Sequence, residues 1–332
     1  MNDNEEIGGY FGLWLPDEKP IHDQAVAFNS ARSAIRAVLH ACDKRVIYIP
    51  SYVCDSVIKA ARDAGCEVRL YAINNNFMPI DIPVNIAADF LILYVNYFGL
   101  CDSQVDEILK IYPADQVVID NSHALYSSVT DALATIYSPR KFVGLPDGGL
   151  AYVRSCVELE NFYPEDEDSI SRMDYLLLRY GYSARDGYTA FNIARESLSD
   201  NTPKAMSTLT KRLMRSIPWQ EVKECRQKNY FAMKGFFSDI NLIQFKDDNY
   251  VAPLCYPLRV SEHSLSCVKK ILSEKNIFAP TYWPDVISRA GKGSIEYQLV
   301  KQTLFLPIDQ RLTQRHLDIV CQIVVDALAL NV

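Results

Sequence analysis

Three side chains in one stretch have the types and spacing for covalent chemistry. Asp120 stands at the end of the apolar run VVID, His123 follows three residues later, and Lys141 lies 21 residues past Asp120, in the loop YSPRKFVGLPDGG (137–149). A lysine that only meets solvent needs no frame of proline and glycine, whereas one that must bond to a carbonyl needs a short, shaped loop to hold its amine in place. The amine can form a Schiff base with an aldehyde while a strand-end carboxylate pairs with a pyridinium nitrogen. That is the arrangement pyridoxal phosphate chemistry requires. Each residue also has a plainer reading. Asp120 alone would be a cap or turn former, His123 a neutral histidine satisfied by a carbonyl inside the protein, and Gly148 with Gly149 simple punctuation before a strand.

The elements that must position these groups alternate between two periods. NSARSAIRAVLHA reads as a helix capped by Asn29 or Ser30, with Ala34, Ile35, Val38 and Leu39 on one face. RVIYIP is a buried strand stopped by Pro50, DSVIKAARDAG a helix closed by Gly65, and CEVRLYAI a strand. FLILYVNYFG, SQVDEILKIY and QVVID repeat the strand-helix-strand rhythm, and ALATIYS and GGLAYV flank the lysine loop as two more strands. Apolar runs of this kind belong to a parallel sheet covered on both faces, whose ligands sit beyond the strand carboxyl ends. Asp120 is at such an end.

Further along, ELENFYPEDEDSISRMD is expected to be solvated, and MSTLTKRLMRSI and WQEVKECRQKNYFAMKGFFSDI to be long helices. The last third offers the strand-like APLCYPLRV, the helix SLSCVKKILSEKN, the turn-rich APTYWPDV and a closing helix. The expected organisation is a large domain over residues 1–235 and a smaller α+β domain over 236–332. In PTYWP the aromatic pair reads as packing before it reads as a cleft lining, and Arg311 as the partner of a neighbour before an anion clamp.

A chain of 332 residues has room for two lobes, and its 49% hydrophobic and 23% charged residues are those of a folded globular protein. The net charge of -7 argues against a nucleic-acid partner, since phosphate neutralisation wants a dense basic surface. Nine scattered cysteines without a CxxC suggest neither a disulfide framework nor a zinc site, so no metal is expected and a reducing cytoplasm fits. No stretch reaches the roughly 18 apolar residues of a membrane span.

The motifs, in order, resemble those of the DegT/DnrJ/StrS sugar aminotransferases, a branch of the fold-type I pyridoxal phosphate enzymes. NSARSAI is similar to that family's Ser-Gly-Thr helix start, IPSYVCDSVIKAARDAGCEVRLYAIN to its Pro-Ser-aromatic segment, NYFG to its His/Asn-aromatic-Gly turn, VIDNSHALYS to its Asp-x-x-His/Gln strand end, and SPRKFVGLPDGGLAYV to its lysine loop. The match is good over residues 25–155 and weaker beyond. It implies an α/β fold of that type, with a large, mostly parallel sheet domain covered by helices and a smaller C-terminal α+β lobe. It implies Lys141 as the Schiff-base lysine and proton carrier, Asp120 as the ring-nitrogen partner, His123 near the phenolic oxygen, and backbone amides of Ala31 and Arg32 on the phosphate, with Ser138 a further phosphate ligand.

The chain departs from the pattern at several points. Ala31-Arg32 stands where the family has Gly-Thr, Cys54 where it has a ring-stacking aromatic, leaving Tyr52 or another side chain to cover the ring, with Tyr52 reading as packing before it reads as a lid, and Ile136 where it has a serine; AMSTLT is the nearest echo of its inter-subunit asparagine motif. The function implied is transfer of an amino group, from an amino-acid donor such as glutamate, to a keto group of a nucleotide-linked sugar. That chemistry serves cell-surface polysaccharide or related sugar biosynthesis, in a cytoplasmic homodimer. Two other readings are a cofactor-fold protein that has become a binding or regulatory partner, and an enzyme of elimination or dehydration. The dehydratases of that family replace the lysine with histidine, so Lys141 speaks against the last.

Overall fold

The computed structural model describes residues 8–42, 44–83, 89–200, 202–245 and 251–329. Its elements are β1 (Val26–Phe28), α1 (Ala31–Ala41), β2 (Val46–Pro50), α2 (Asp55–Asp63), β3 (Glu67–Ile73), β4 (Pro79–Ile80), β5 (Phe90–Val95), α3 (Asp102–Ile111), β6 (Val117–Asn121), β7 (Ala134–Tyr137) and β8 (Gly149–Val153). Then come α4 (Asp174–Gly181), α5 (Tyr188–Glu196), α6 (Thr208–Met214), α7 (Trp219–Phe237), β9 (Tyr256–Arg259), α8 (Glu262–Glu274), α9 (Val286–Arg289), α10 (Ile295–Gln302), β10 (Thr303–Leu306) and α11 (Gln314–Ala329).

The first eight strands form one sheet in the order β1-β8-β7-β6-β5-β2-β3-β4. Its centre is parallel, and β8 turns back antiparallel between β7 and β1. Every residue of β6 and β7 is buried. Strands buried along their whole length are covered on both faces, which is why their sequences read as unbroken apolar runs rather than alternating ones. The helix expected at residue 31 forms with Ala34, Ile35, Val38 and Leu39 buried, and Ser30 is its cap, accepting from Ser33 N at 3.2 Å. Asn29 accepts from Ser33 Oγ at 2.6 Å and donates to Asp166 Oδ2 at 2.7 Å.

Three expectations are corrected. The acidic stretch is not solvated throughout: Asp166 and Arg172 are buried and pair at 2.6 Å, because Asn29 and Ser197 supply the further hydrogen bonds a buried ion pair needs. The helix after residue 206 runs only from Thr208 to Met214, since Ser207 caps it, accepting from Thr210 N, and Pro218 begins the next helix. Of APLCYPLRV only Tyr256–Arg259 is strand, paired antiparallel with β10, a strand that follows α10 without a turn. All nine cysteines are free thiols.

Candidate active site

Neighbouring strands bring the acid and the amine together. In the sheet register Asp120 of β6 lies between Val95 of β5 and Ile136 of β7. Lys141 follows directly, in a 3-10 turn from Pro139 to Lys141 at the carboxyl end of β7, with its N–H on Ser138 O at 3.1 Å. Asp120 is buried, and its Oδ1 accepts from Ser122 N at 2.9 Å, a bond that fixes the carboxylate at the strand end.

The Lys141 side chain reaches solvent, yet protein surrounds it closely enough to desolvate the amine. Desolvation pushes its pKa below the ordinary lysine range; the charge of Asp120 pulls it back up, and those of Arg32 and Arg140 push it down again. The result is an amine with lowered proton affinity and a carboxylate in its field.

His123 is buried in an aromatic stack. Its ring lies on Trp283 at 5.2 Å and 12°, with Tyr282 at 5.2 Å and Phe98 at 6.0 Å. Desolvation, and then the Lys141 charge, hold its pKa well below the usual histidine value, so the ring is neutral, and its Nδ1 is buried without a partner. The NYFG turn supports it from below: Gly99 has φ +74, and a Cβ there would stand 2.9 Å from His123 O, so only glycine lets the two backbones meet.

The start of α1 is held by the glycine pair. Gly148 forms a bridge with Ser30 and donates to Asn29 O at 2.6 Å. At Gly149 an added Cβ would lie 2.1 Å from the Ser30 carbonyl carbon and 2.3 Å from Ala31 N. The first amides of α1 are thereby seated at the edge of the lysine loop. Ser138 is buried within that loop.

Tyr52 has no exposed surface; Tyr97 and Trp283 occupy its ring at 5.6 Å and 4.7 Å, and its hydroxyl is buried without a partner. Cys54 precedes α2 as its N-cap residue, and its sulfur accepts from Ser56 Oγ at 3.0 Å. Arg311 is taken by Asp309 at 2.7 Å and 2.9 Å.

Four participants were not found from sequence. Trp283 lies 160 residues from His123, and only its place between prolines hints at a fixed pose. Arg140, Arg226 and Gln310 carry no motif. The last two both donate to Phe142 O at 3.0 Å, tying the residue after Lys141 to α7 and to the segment beyond β10.

No family model matches the chain, and no curated protein does. Solved structures do. Spr1654 of Streptococcus pneumoniae, assigned as a sugar aminotransferase and solved in its PMP form, superposes with a TM-score of 0.64 at 12% identity, over 96% of this chain and 94% of that one. The Helicobacter pylori aminotransferase PseC, involved in the biosynthesis of pseudoaminic acid, gives 0.59 at 15% identity over 92% and 86%. A DegT DnrJ EryC1 StrS aminotransferase from Brucella abortus gives 0.61 at 13% over 91% and 85%. Likeness at such identity speaks for backbone architecture: this chain has the fold that these sugar aminotransferases share.

Proposed function

We propose that the chain is a pyridoxal phosphate-dependent aminotransferase acting on a keto group of a nucleotide-linked sugar, with an amino acid, glutamate first, as donor. The observation that carries the reading is the Lys141 amine, in the turn at the end of β7, within the field of the Asp120 carboxylate on the adjacent strand end.

The residues present fit the cofactor. A buried, partnerless Nδ1 on His123 and a buried, partnerless Nε on Arg140 are polar atoms that lack a bond near Lys141, and the glycine pair seats the first amides of α1 at the edge of the lysine loop. Lys141 would hold the cofactor covalently and Asp120 would hold its ring nitrogen. His123 would meet its phenolic oxygen, and the amides of Ala31 and Arg32, with Ser138, would meet its phosphate. Cys54 would lie beside the ring, whereas Tyr52, enclosed by Tyr97 and Trp283, packs the interior instead of covering it. When bound, the group supplies an aldehyde that captures amines and a cationic ring that accepts an electron pair.

The rest is done by the chain. Lys141 Nζ, with its proton affinity lowered by burial, takes up a proton from a substrate carbon and returns it. Neutral His123 offers a hydrogen bond without a charge, and the Trp283-Tyr282-Phe98 stack keeps water from its ring. A homodimer is part of this reading, supported by exposed apolar side chains on and beside α4 and α5, among them Leu177, Tyr180, Tyr188 and Ile193. So is the division into residues 1–235 and 236–332, and a cytoplasmic setting; among the described residues no helix is long and apolar enough to cross a membrane.

The test is to add pyridoxal phosphate, reduce with borohydride and map the label by peptide mass spectrometry. Label on Lys141, absent from Lys141→Ala, is expected, and glutamate should bleach the visible band before reduction. A protein that takes no label refutes the cofactor reading. Label that glutamate cannot bleach removes that donor and favours elimination.

A further inference from the structure

Arg32 and Arg140 stand beside Lys141 with side chains that nothing above employs. Arg32 is the second residue of α1, and Arg140 immediately precedes Lys141 in its turn. The glycine pair joins their surroundings. Gly148 is bridged to Ser30, and the Arg140 stem passes it, with Cγ 3.7 Å from where a Cβ on Gly148 would be. Arg140 and the first turn of α1 therefore pack against one another through a single glycine. Their charges register at the same place: both lower the proton affinity of Lys141, and Arg32 lowers that of Arg140.

Two partly buried guanidiniums that act on each other are costly unless an anion joins them. Among the described residues no carboxylate forms an ion pair with either arginine. Asp147 faces Arg140, but its carboxylate is engaged by Ser207 Oγ at 2.6 Å. Arg195 and Glu196, at the end of α5, act on Arg32 with opposite signs. Arg140 also reaches the Tyr175 hydroxyl, which donates to Leu145 O at 2.8 Å, while its Nε remains buried without a partner. The first turn of α1 contains no acidic residue, so its free amides keep their positive end open. An anion with several oxygens, able to take planar forks from two sides and amides from a third, satisfies all of these groups at once.

We propose that the side chains of Arg32 and Arg140 form a two-guanidinium clamp for a phosphate monoester, that of the cofactor, over the amides at the start of α1. The clamp rests on the pyridoxal phosphate reading given above. The diphosphate of a nucleotide-linked substrate shares the same chemistry, so the test separates the two sources.

Cofactor-free protein, wild type and with Arg32→Met or Arg140→Met, is titrated with pyridoxal phosphate, with phosphate-free pyridoxal and with a nucleoside diphosphate. Each substitution should weaken pyridoxal phosphate by about 10- to 100-fold and leave pyridoxal within about 3-fold, because only charge-assisted bonds to the phosphate are lost. Arg32→Lys and Arg140→Lys, which keep the charge without the fork, should fall between, and they carry the test if a methionine variant does not fold. Inorganic phosphate should compete with pyridoxal phosphate in wild type and raise its melting temperature, and do neither in Arg32→Met. Unchanged affinity for pyridoxal phosphate, or equal loss for pyridoxal, overturns the clamp, as does weakening confined to the nucleoside diphosphate. Wild type that binds neither pyridoxal compound refutes the cofactor reading instead, and the phosphate melting shift then decides for or against the two arginines on its own.

Discussion

At the scale of single residues, the site works through proton affinity. Asp120 raises the pKa of Lys141 against the burial that lowers it. Acetylation of Lys141 followed by peptide mass spectrometry across pH should therefore give a midpoint below that of a free lysine, and Asp120→Asn should move it lower still. His123 makes the complementary case. Its folded pKa lies well below 6.5, so as pH falls through 6.5 the unfolded chain binds a proton that the native state refuses. Stability contributed by the neutral ring is thus present above pH 6.5 and lost on acidification. Urea midpoints of cofactor-free protein at pH 7 and 5.5 should show a loss in wild type that is smaller in His123→Gln, by about 1 kcal/mol for one fully shifted group.

At the scale of elements, the decisive contact is between β8 and the start of α1. Gly149→Ala would force a methyl group into the Ser30 carbonyl, which is backbone and cannot step aside. Overpacking against main chain should cost at least about 3 kcal/mol in urea denaturation and displace the amides that α1 presents. The Asp166–Arg172 pair anchors the same helix start through Asn29, so Arg172→Met, leaving a buried carboxylate without its cation, should cost about 3 to 5 kcal/mol.

Strands β2, β3 and β5 to β8 and helices α1 to α3 were legible in the sequence because burial on both faces writes continuous apolar runs and amphipathic helices write a 3.6-residue period, whereas the two- and three-residue edge strands β4 and β1 are too short to write either. The helices α4 and α5 were not: α4 buries no side chain and α5 only Ala194, so neither leaves a periodic apolar stripe. In the site, Asp120 and Lys141 could be found because adjacent strands keep them at a fixed separation. Trp283, Arg226 and Gln310 arrive by tertiary folding from distant segments, and such proximity has no local spelling.

At the scale of the whole molecule, the exposed apolar side chains of α4 and α5 are where the proposed homodimer can be tested. Tyr175, Phe191 and Tyr188 join the two helices through ring contacts, while Leu177 and Tyr180 remain uncovered. If this face is where two copies meet, Leu177→Asp with Tyr180→Asp should convert a dimer to a monomer in sedimentation velocity without lowering the melting temperature. A wild-type monomer at micromolar concentration would refute the homodimer.

The bonds from Arg226 and Gln310 to the Phe142 carbonyl have a temporal meaning as well. The loop bearing the reactive amine is fastened by residues made 85 and 169 positions after Lys141. A growing polypeptide on the ribosome cannot complete both bonds until residue 310 has emerged, so under the proposed function labelling of Lys141 by pyridoxal phosphate has to wait for nearly complete synthesis. Chains arrested before that point should leave Lys141 unlabelled however early the central strands assemble.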